Sequence, residues 1–275
     1  MNLAATPFCF WGFDPWVAYR HFARVGIHHV EVPAFPARQS LAWGLSTFAP
    51  EMLAPEDVDA LRTRLATLDL TPVTVAAMGD VLDPRQRAPL GRRLEFAAAL
   101  GCSVVLMDAG PLPPIGTAER GAAVANAREL ARWAADLDLR IGLEIHDGAT
   151  RTGALARVLL DEVDHPALGV NYDTANVIYY NGDVDPAEDL RTIVDRVVHV
   201  HLKDTTGGLH EWQFCALGDG RVDFSAVLEV LRAAGFDGTY SLEIEGVEGE
   251  DLNRAGHLAR LERSVAYLRR VGVIA

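Results

Sequence analysis

Residues 197–204, "VVHVHLKD", decide the fold. Val197, Val198, Val200 and Leu202 suit the buried face of a strand, while His199, His201 and Lys203 share the other face at a period of two. On a solvated sheet those imidazoles would be idle. In a closed parallel barrel the same face looks into the interior and opens at the mouth, where chemistry is done. The elements around the stretch settle which sheet it belongs to.

Short runs rich in Val, Ile and Leu alternate with longer Ala-, Leu- and Arg-rich segments of helical period, the pattern of βα units on a parallel sheet. Strands are predicted at 3–10, 27–33, 70–78, 102–110, 140–146, 167–176, 196–204 and 238–246. The helices carry their own start and stop residues. Asp14 caps the first with Pro15 behind it, and the second begins near Pro55. Pro89 interrupts or delays the third and Gly101 closes it; Thr117 caps the fourth, and a short helix begins at Asp185 and Pro186. Eight such repeats in 275 residues point to a (β/α)8 TIM barrel, one domain over 1–275. A doubly wound open sheet is the rival, but no G-x-G-x-x-G or Walker loop is present.

Composition narrows the function. With 49% hydrophobic and 23% charged residues the chain has ample material for a core. A formal charge of −13 opposes a nucleic-acid partner, since every phosphate contact needs a cation. No apolar run approaches the ~20 residues of a membrane span, and the N-terminal stretch does not read as a secretory signal; the expected location is cytoplasmic. Cys9, Cys102 and Cys215 are odd in number and widely spaced, which suggests neither a disulfide framework nor a thiolate metal site.

Polar residues gather at the strand ends. Strand five ends with Glu144 and His146 on one parity, strand six with Asn171 and Asp173, strand seven carries His199, His201 and Lys203, and strand eight Glu243 and Glu245. Several carboxylates converging beside an imidazole in a low-dielectric mouth repel one another unless a cation joins them. One divalent ion with open positions is expected. Oxygen-rich ligation with a single imidazole suits Mn²⁺ first, with Mg²⁺ or Co²⁺ as alternatives and Zn²⁺ as second choice.

With these motifs in order, "GLEIH", "NYDTAN", "HVHLKD" and "GTYSLEIE", the chain resembles the xylose-isomerase-like TIM barrels, the sugar phosphate isomerase/epimerase family, over nearly its whole length. The resemblance implies the metal ligands Glu144, Asp173, His201 and Glu243, the second histidine of "HVH" matching the ligand position. It also implies homo-oligomers and a small carbohydrate substrate. Asn176 stands where ketose epimerases of the family have a substrate-binding histidine, and no arginine follows the seventh-strand motif at the short spacing found there. The endonuclease relatives carry further histidines at the ends of early strands, and "VAAMGD" and "VLMDAG" contain none.

The expected chemistry is proton abstraction next to a carbonyl, the ion acting as a Lewis acid for an enediolate while Glu144 and Glu243 serve as base and acid. That describes an isomerase or epimerase of a keto sugar or related polyol. The alternative is a dehydratase or lyase, such as one eliminating from an inosose or a 3-oxo-glycoside, with His146 as the additional base. A non-catalytic sugar-binding partner subunit ranks below both. Lys203, Asn176, Trp11 and Trp212 are the expected substrate contacts, with Phe10, Phe13 and Trp43 also placed in strand-end loops. Glu31 is expected to support the site from behind and His199 to be a hydrogen-bonded interior residue. Asp204 and Glu245 are read as partners of Lys203 or solvated rim groups, and His28, His210 and His257 as surface or loop residues.

Overall fold

Each apolar run becomes a strand because its branched side chains pack on both sides of a pleated sheet, and each amphipathic segment becomes the helix that covers it. The computed structural model describes residues 2–35, 48 and 54–273. Its strands are β1 (Asn2–Ala5), β2 (His29–Pro33), β3 (Thr71–Asp80), β4 (Val104–Asp108), β5 (Arg140–Glu144), β6 (Leu168–Asp173), β7 (Val197–Leu202), β8 (Asp204–Thr205), β9 (Gln213–Cys215), β10 (Thr239–Leu242) and β11 (Gly246–Val247). Eight of them close a barrel in the order β1-β10-β7-β6-β5-β4-β3-β2, while β11, β9 and β8 form a separate small antiparallel sheet. The expected eight-stranded barrel is therefore the observed one; the small sheet was not foreseen.

The helices are α1 (Pro15–Phe22), α2 (Pro55–Thr67), α3 (Arg87–Leu100), α4 (Ala118–Asp136), α5 (Gly153–Val163), α6 (Asn176–Asn181), α7 (Pro186–Arg191), α8 (Phe224–Ala233) and α9 (Arg254–Arg270). Asp14, Thr117 and Asp185 cap as expected, each side chain accepting a backbone N–H of the first turn. Pro89 delays α3: a 3-10 turn over Pro84–Gln86 precedes it, and the proline falls in the first helical turn, where its missing N–H costs nothing. Gly101 ends α3 at φ 80°, a conformation that suits glycine.

The main core lies between strands and helices, where Val75, Val105, Ile141, Val170 and Val200 meet Leu94, Leu130, Leu160 and Leu231. Each such side chain contributes roughly 1.5–3 kcal/mol by leaving water. A smaller cluster of Val104, Leu106 and Val198 stands apart from it. This corrects the reading of Val198 as a partner of Val200 and Leu202. The β6–β7 register slips, pairing Val170 with Val197 but Asn171 with His199. Val198 is the extra residue, so it leaves the face of its neighbouring valines. Gly169 makes room, since a Cβ there would lie 2.4 Å from Val198 Cγ1.

Candidate metal centre and substrate cavity

Register brings the motifs to one level. Ser241 lies opposite His201 on β10 and β7, and Asp173 opposite His201 on β6 and β7. The strands end earlier than expected, at Glu144 and Leu242, so His146, Glu243 and Glu245 sit where the chain leaves the barrel. Glu144, Asp173, His201 and Glu243 are all buried, and one ligand atom from each lies within 4.8 Å of the others.

His201 is the hinge of the group. Its Nδ1 stands 3.3 Å from Glu144 Oε1, 3.3 Å from Glu243 Oε2 and 3.9 Å from Asp173 Oδ2. Its Nε2–H donates to Glu31 Oε2 at 3.2 Å, which fixes the ring and aims Nδ1 at the carboxylates. Glu31 thus stands behind His201 as expected. His199 is held by Asn171 Oδ1 at 2.8 Å and Ser241 Oγ at 3.1 Å, the interior role expected of it.

Asp173 divides its oxygens: Oδ1 accepts the N–H groups of Ala175 and Asn176, both at 2.8 Å, starting α6. Its Oδ2 is buried with no hydrogen-bond partner, and so is Glu243 Oε2, although both lie within ion-pair reach of Lys203 and His201. Lys203 Nζ is 3.2 Å from Glu243 Oε2, pairs with Glu245, donates to Asn176 Oδ1 at 3.1 Å and stands 4.2 Å from the centre of the Phe214 ring. Asn176 in turn donates to Glu144 Oε1 at 3.3 Å.

The electrostatics follow from this crowding. Burial works to lower the His201 imidazolium, but Glu243 and Glu31 override it and hold its pKa well above the ordinary 6.5. Burial would raise Glu243, yet His201 and Lys203 hold it below the carboxylate range. Burial pushes Asp173 up to about 6 and Glu245 up to about 8, against the pull of Lys203. Among the described residues, Glu31, Glu144, Asp173, Glu243 and Glu245 face Lys203 and His201 as cationic partners, while His199, 3.7 Å from Glu31, is held neutral by its burial. That acidic surplus, the two orphaned oxygens and the single imidazole fit a divalent cation.

The cavity above the group has a volume of about 340 Å³, and Glu144, His146, Asn176, His201, Lys203, Glu243, Trp11 and Trp212 all line it. His146 Nε2 is 2.7 Å from the Tyr180 hydroxyl. Glu31 and Glu245 line it as well, and sequence reasoning missed Phe8, Phe35, Ala76, Met78, Tyr179, Tyr180 and Phe214. The pair Tyr179–Tyr180, directly behind "NYDTAN", was the available signal, but α6 had not been foreseen there.

Other expectations need correction. Phe10 is buried against the rings of His21 and His257, and neither it nor Phe13 lines this cavity. His257 is buried on α9, its Nδ1 3.1 Å from the Cys9 carbonyl, because the helix turns that position toward the barrel. Asp204 is neither a Lys203 partner nor solvated: it accepts the backbone N–H groups of Thr205, Gly218, Gly220 and Val222 at 2.8–3.1 Å. Glu245 does pair with Lys203; His28 and His210 are exposed. Trp43 lies outside the described residues.

A ketose 3-epimerase from Arthrobacter globiformis is 27% identical over 226 residues, 72% of this chain and 72% of that enzyme. An inosose dehydratase from Clostridium botulinum is 28% identical over 133 residues, 42% of this chain and 44% of that enzyme. The crystal structure of a xylose isomerase-like TIM barrel protein from Mycobacterium smegmatis in complex with magnesium superimposes with a TM-score of 0.76 at 18% identity, over 98% of this chain and 96% of that one, a likeness of fold. The xylose isomerase-like TIM barrel family model matches residues 20–271, and the chain belongs to that family, in which its relatives include epimerases and dehydratases.

Proposed function

We propose that this chain is a divalent-metal-dependent isomerase or epimerase of a keto sugar or related polyol, abstracting a proton next to a carbonyl through an enediolate. One observation carries the reading: four buried donors, Glu144, Asp173, His201 and Glu243, gathered within 4.8 Å of one another, three of them, Glu144, His201 and Glu243, in the wall of a cavity. A divalent ion held by them, Mn²⁺ first and Mg²⁺, Co²⁺ or Zn²⁺ as alternatives, supplies Lewis acidity to substrate oxygens.

The remaining work belongs to the chain. Glu243, kept ionised beside Lys203 and His201, takes the proton at one of its carboxylate oxygens. Glu144 reaches the cavity from β5, on the far side of β6 and β7 from β10, and returns a proton from there. With Glu144 carrying a proton at the start, its delivery to the other face of the same carbon inverts that carbon; delivery to the neighbouring carbon, with the hydroxyl proton passing to the former carbonyl oxygen, moves the carbonyl. Lys203 and Asn176 hold Glu243 and Glu144 in place, and the ring-lined walls exclude water, which strengthens every charge interaction in the cavity.

Elimination is the second reading, favoured by the Tyr180 hydroxyl 2.7 Å from His146 Nε2. This pair gives the cavity another place to hold a proton for a leaving hydroxyl or alcohol. The test is a panel of ketohexoses, inososes and 3-oxo-glycosides with the Mn²⁺-loaded chain in deuterated water. Deuterium at the carbon next to the carbonyl, in substrate or product, is expected. Enone absorbance with release of water or alcohol supports elimination. Absence of exchange from every compound, with metal bound, contradicts both and leaves a binding subunit.

A further inference from the structure

A second cavity adjoins the first, and no step of the proton transfer uses it. Its volume is about 690 Å³, about twice that of the metal-facing cavity, and Trp11, Trp212 and Glu245 line both. The two cavities are therefore neighbours across one wall, whose Glu245 pairs with Lys203 at the charged cluster. That wall is built by the small antiparallel sheet. β11 follows Glu245 directly and pairs with β9, Gly246 opposite Phe214 and Val247 opposite Gln213, and the Glu248 N–H donates to the Trp212 carbonyl at 2.8 Å. The barrel closes without these strands; their effect is to fix Trp212 and Glu245 at the boundary.

Beyond the wall the lining changes in kind. Phe13 stands edge-on to the buried His257, ring centroids 5.6 Å apart, and Glu248, Glu250 and Asp251 bring carboxylates from the connection between β11 and α9. Arg260, 6% exposed, lines the same cavity and is paired with Glu250. Rings beside carboxylates and a guanidinium suit a sugar unit. Its C–H face covers an aromatic ring, while its hydroxyls donate to carboxylates and accept from the guanidinium. An apolar extension would leave the carboxylates without water or a partner. A phosphorylated one would bring its charge against Glu245, Glu248, Glu250 and Asp251, which among the described lining residues are offset by Arg260 and, through Glu245, by Lys203.

We propose that the second cavity is a subsite for a second, neutral glycosyl unit: the substrate is a keto sugar already linked to another sugar, the reacting unit at the metal-facing cavity and the linkage passing Trp11 and Trp212. This rests on the proton-abstraction reading above. The experiment is calorimetric titration of the Mn²⁺-loaded chain with D-fructose and with maltulose, leucrose and isomaltulose, which join glucose to O4, O5 and O6 of the same ketose. At least one disaccharide is expected to bind about tenfold tighter than D-fructose, the worth of a ring stack with a hydrogen bond. That preference is expected to fall toward one in Leu252→Trp, which fills the second cavity, and in the double substitution Glu248→Ala, Asp251→Ala. Both acids are exposed, so the double variant serves where Leu252→Trp does not fold, as judged by circular dichroism.

Binding of all three disaccharides within about twofold of D-fructose overturns the proposal. So does absence of heat from all four sugars, or a preference untouched by both variants. Repeating the titrations after the metal is chelated separates the two ideas. Binding of D-fructose that does not depend on metal counts against the proton-abstraction reading, while the preference for a disaccharide judges the second cavity in either case.

Discussion

The two halves of the barrel mouth differ in kind. From β5 round to β10 the strand ends carry Glu144, Asp173, His201, Lys203, Glu243 and Glu245, every one of them in the cavity wall or the buried group proposed to hold a metal. Among the described residues, the lining from β1 to β4 is Phe8, Trp11, Phe35, Ala76 and Met78, joined by Glu31 reaching across to His201. The acids of the β3–β4 end, Asp80 and Asp108, are turned to the backbone instead, accepting N–H groups of Leu82, Gly110 and Gly79. Among the described residues, the first half brings nearly all the charge together with the rings of Tyr179, Tyr180, Trp212 and Phe214, and the second brings surface. A substrate must therefore offer oxygens to one side and a face to the other.

The sharpest way to break this comparison is Glu243→Gln. Loss of a proton-transferring carboxylate costs about 10²–10⁴-fold in rate, so hydrogen–deuterium exchange at the substrate carbon should collapse. Phe8→Leu, in the apolar half, should act on KM instead. An equal loss of kcat from both would erase the distinction.

Next in size is Asp204→Ala. Asp204 anchors the loop that carries Trp212 and Phe214 between the halves, and its removal strands four backbone N–H groups. Urea denaturation should show a loss of about 3 kcal/mol, several times the net worth of one ordinary hydrogen bond. A change below the worth of one hydrogen bond would mean that the loop does not depend on this anchor.

Glu31→Gln tests the one acid that crosses from the apolar half. Substituting a group that orients a metal-binding histidine weakens affinity by about 10–100-fold, and Mn²⁺ titration by calorimetry measures it. Unchanged affinity would leave Glu31 as packing only.

The smallest effect is at Asp83, in the loop between β3 and α3. Hydrogen bonds from the Arg85 side chain and then its backbone N–H lower Asp83 to about 2 from its ordinary 3.8. Its folded pKa lies below the unfolded one, so its stabilisation is present above about pH 4 and lost as pH falls through 2. The melting-temperature gap between the chain and Asp83→Asn should shrink over that window. A gap that stays constant with pH would remove the ion pair from the account.

The charged half was legible in the sequence because its residues break an otherwise apolar pattern: "HVHLKD" sets imidazole and ammonium at period two among valines. The helix ends were legible for a similar reason, since Asp14–Pro15, Thr117 and Asp185–Pro186 are capping chemistry with few other uses. The aromatic half was hidden because Phe8, Ala76 and Met78 are equally at home in any core, and periodicity does not say which side of a strand end faces a cavity. The register slip at Val198 is a matter of backbone pairing, invisible in a run of valines. Asp204 was misjudged because its proximity to Lys203 in the chain suggested a charge partner, whereas the loop over 205–222 folds its own N–H groups onto it.

The central claim is that one cation joins Glu144, Asp173, His201 and Glu243. Anomalous diffraction from crystals grown with manganese tests it most directly. The account predicts one strong peak per chain, touching a carboxylate oxygen of each acid and Nδ1 of His201, and absent in Asp173→Asn. A peak placed instead among Glu31, His199 and His201, or no peak at saturating manganese, would contradict it.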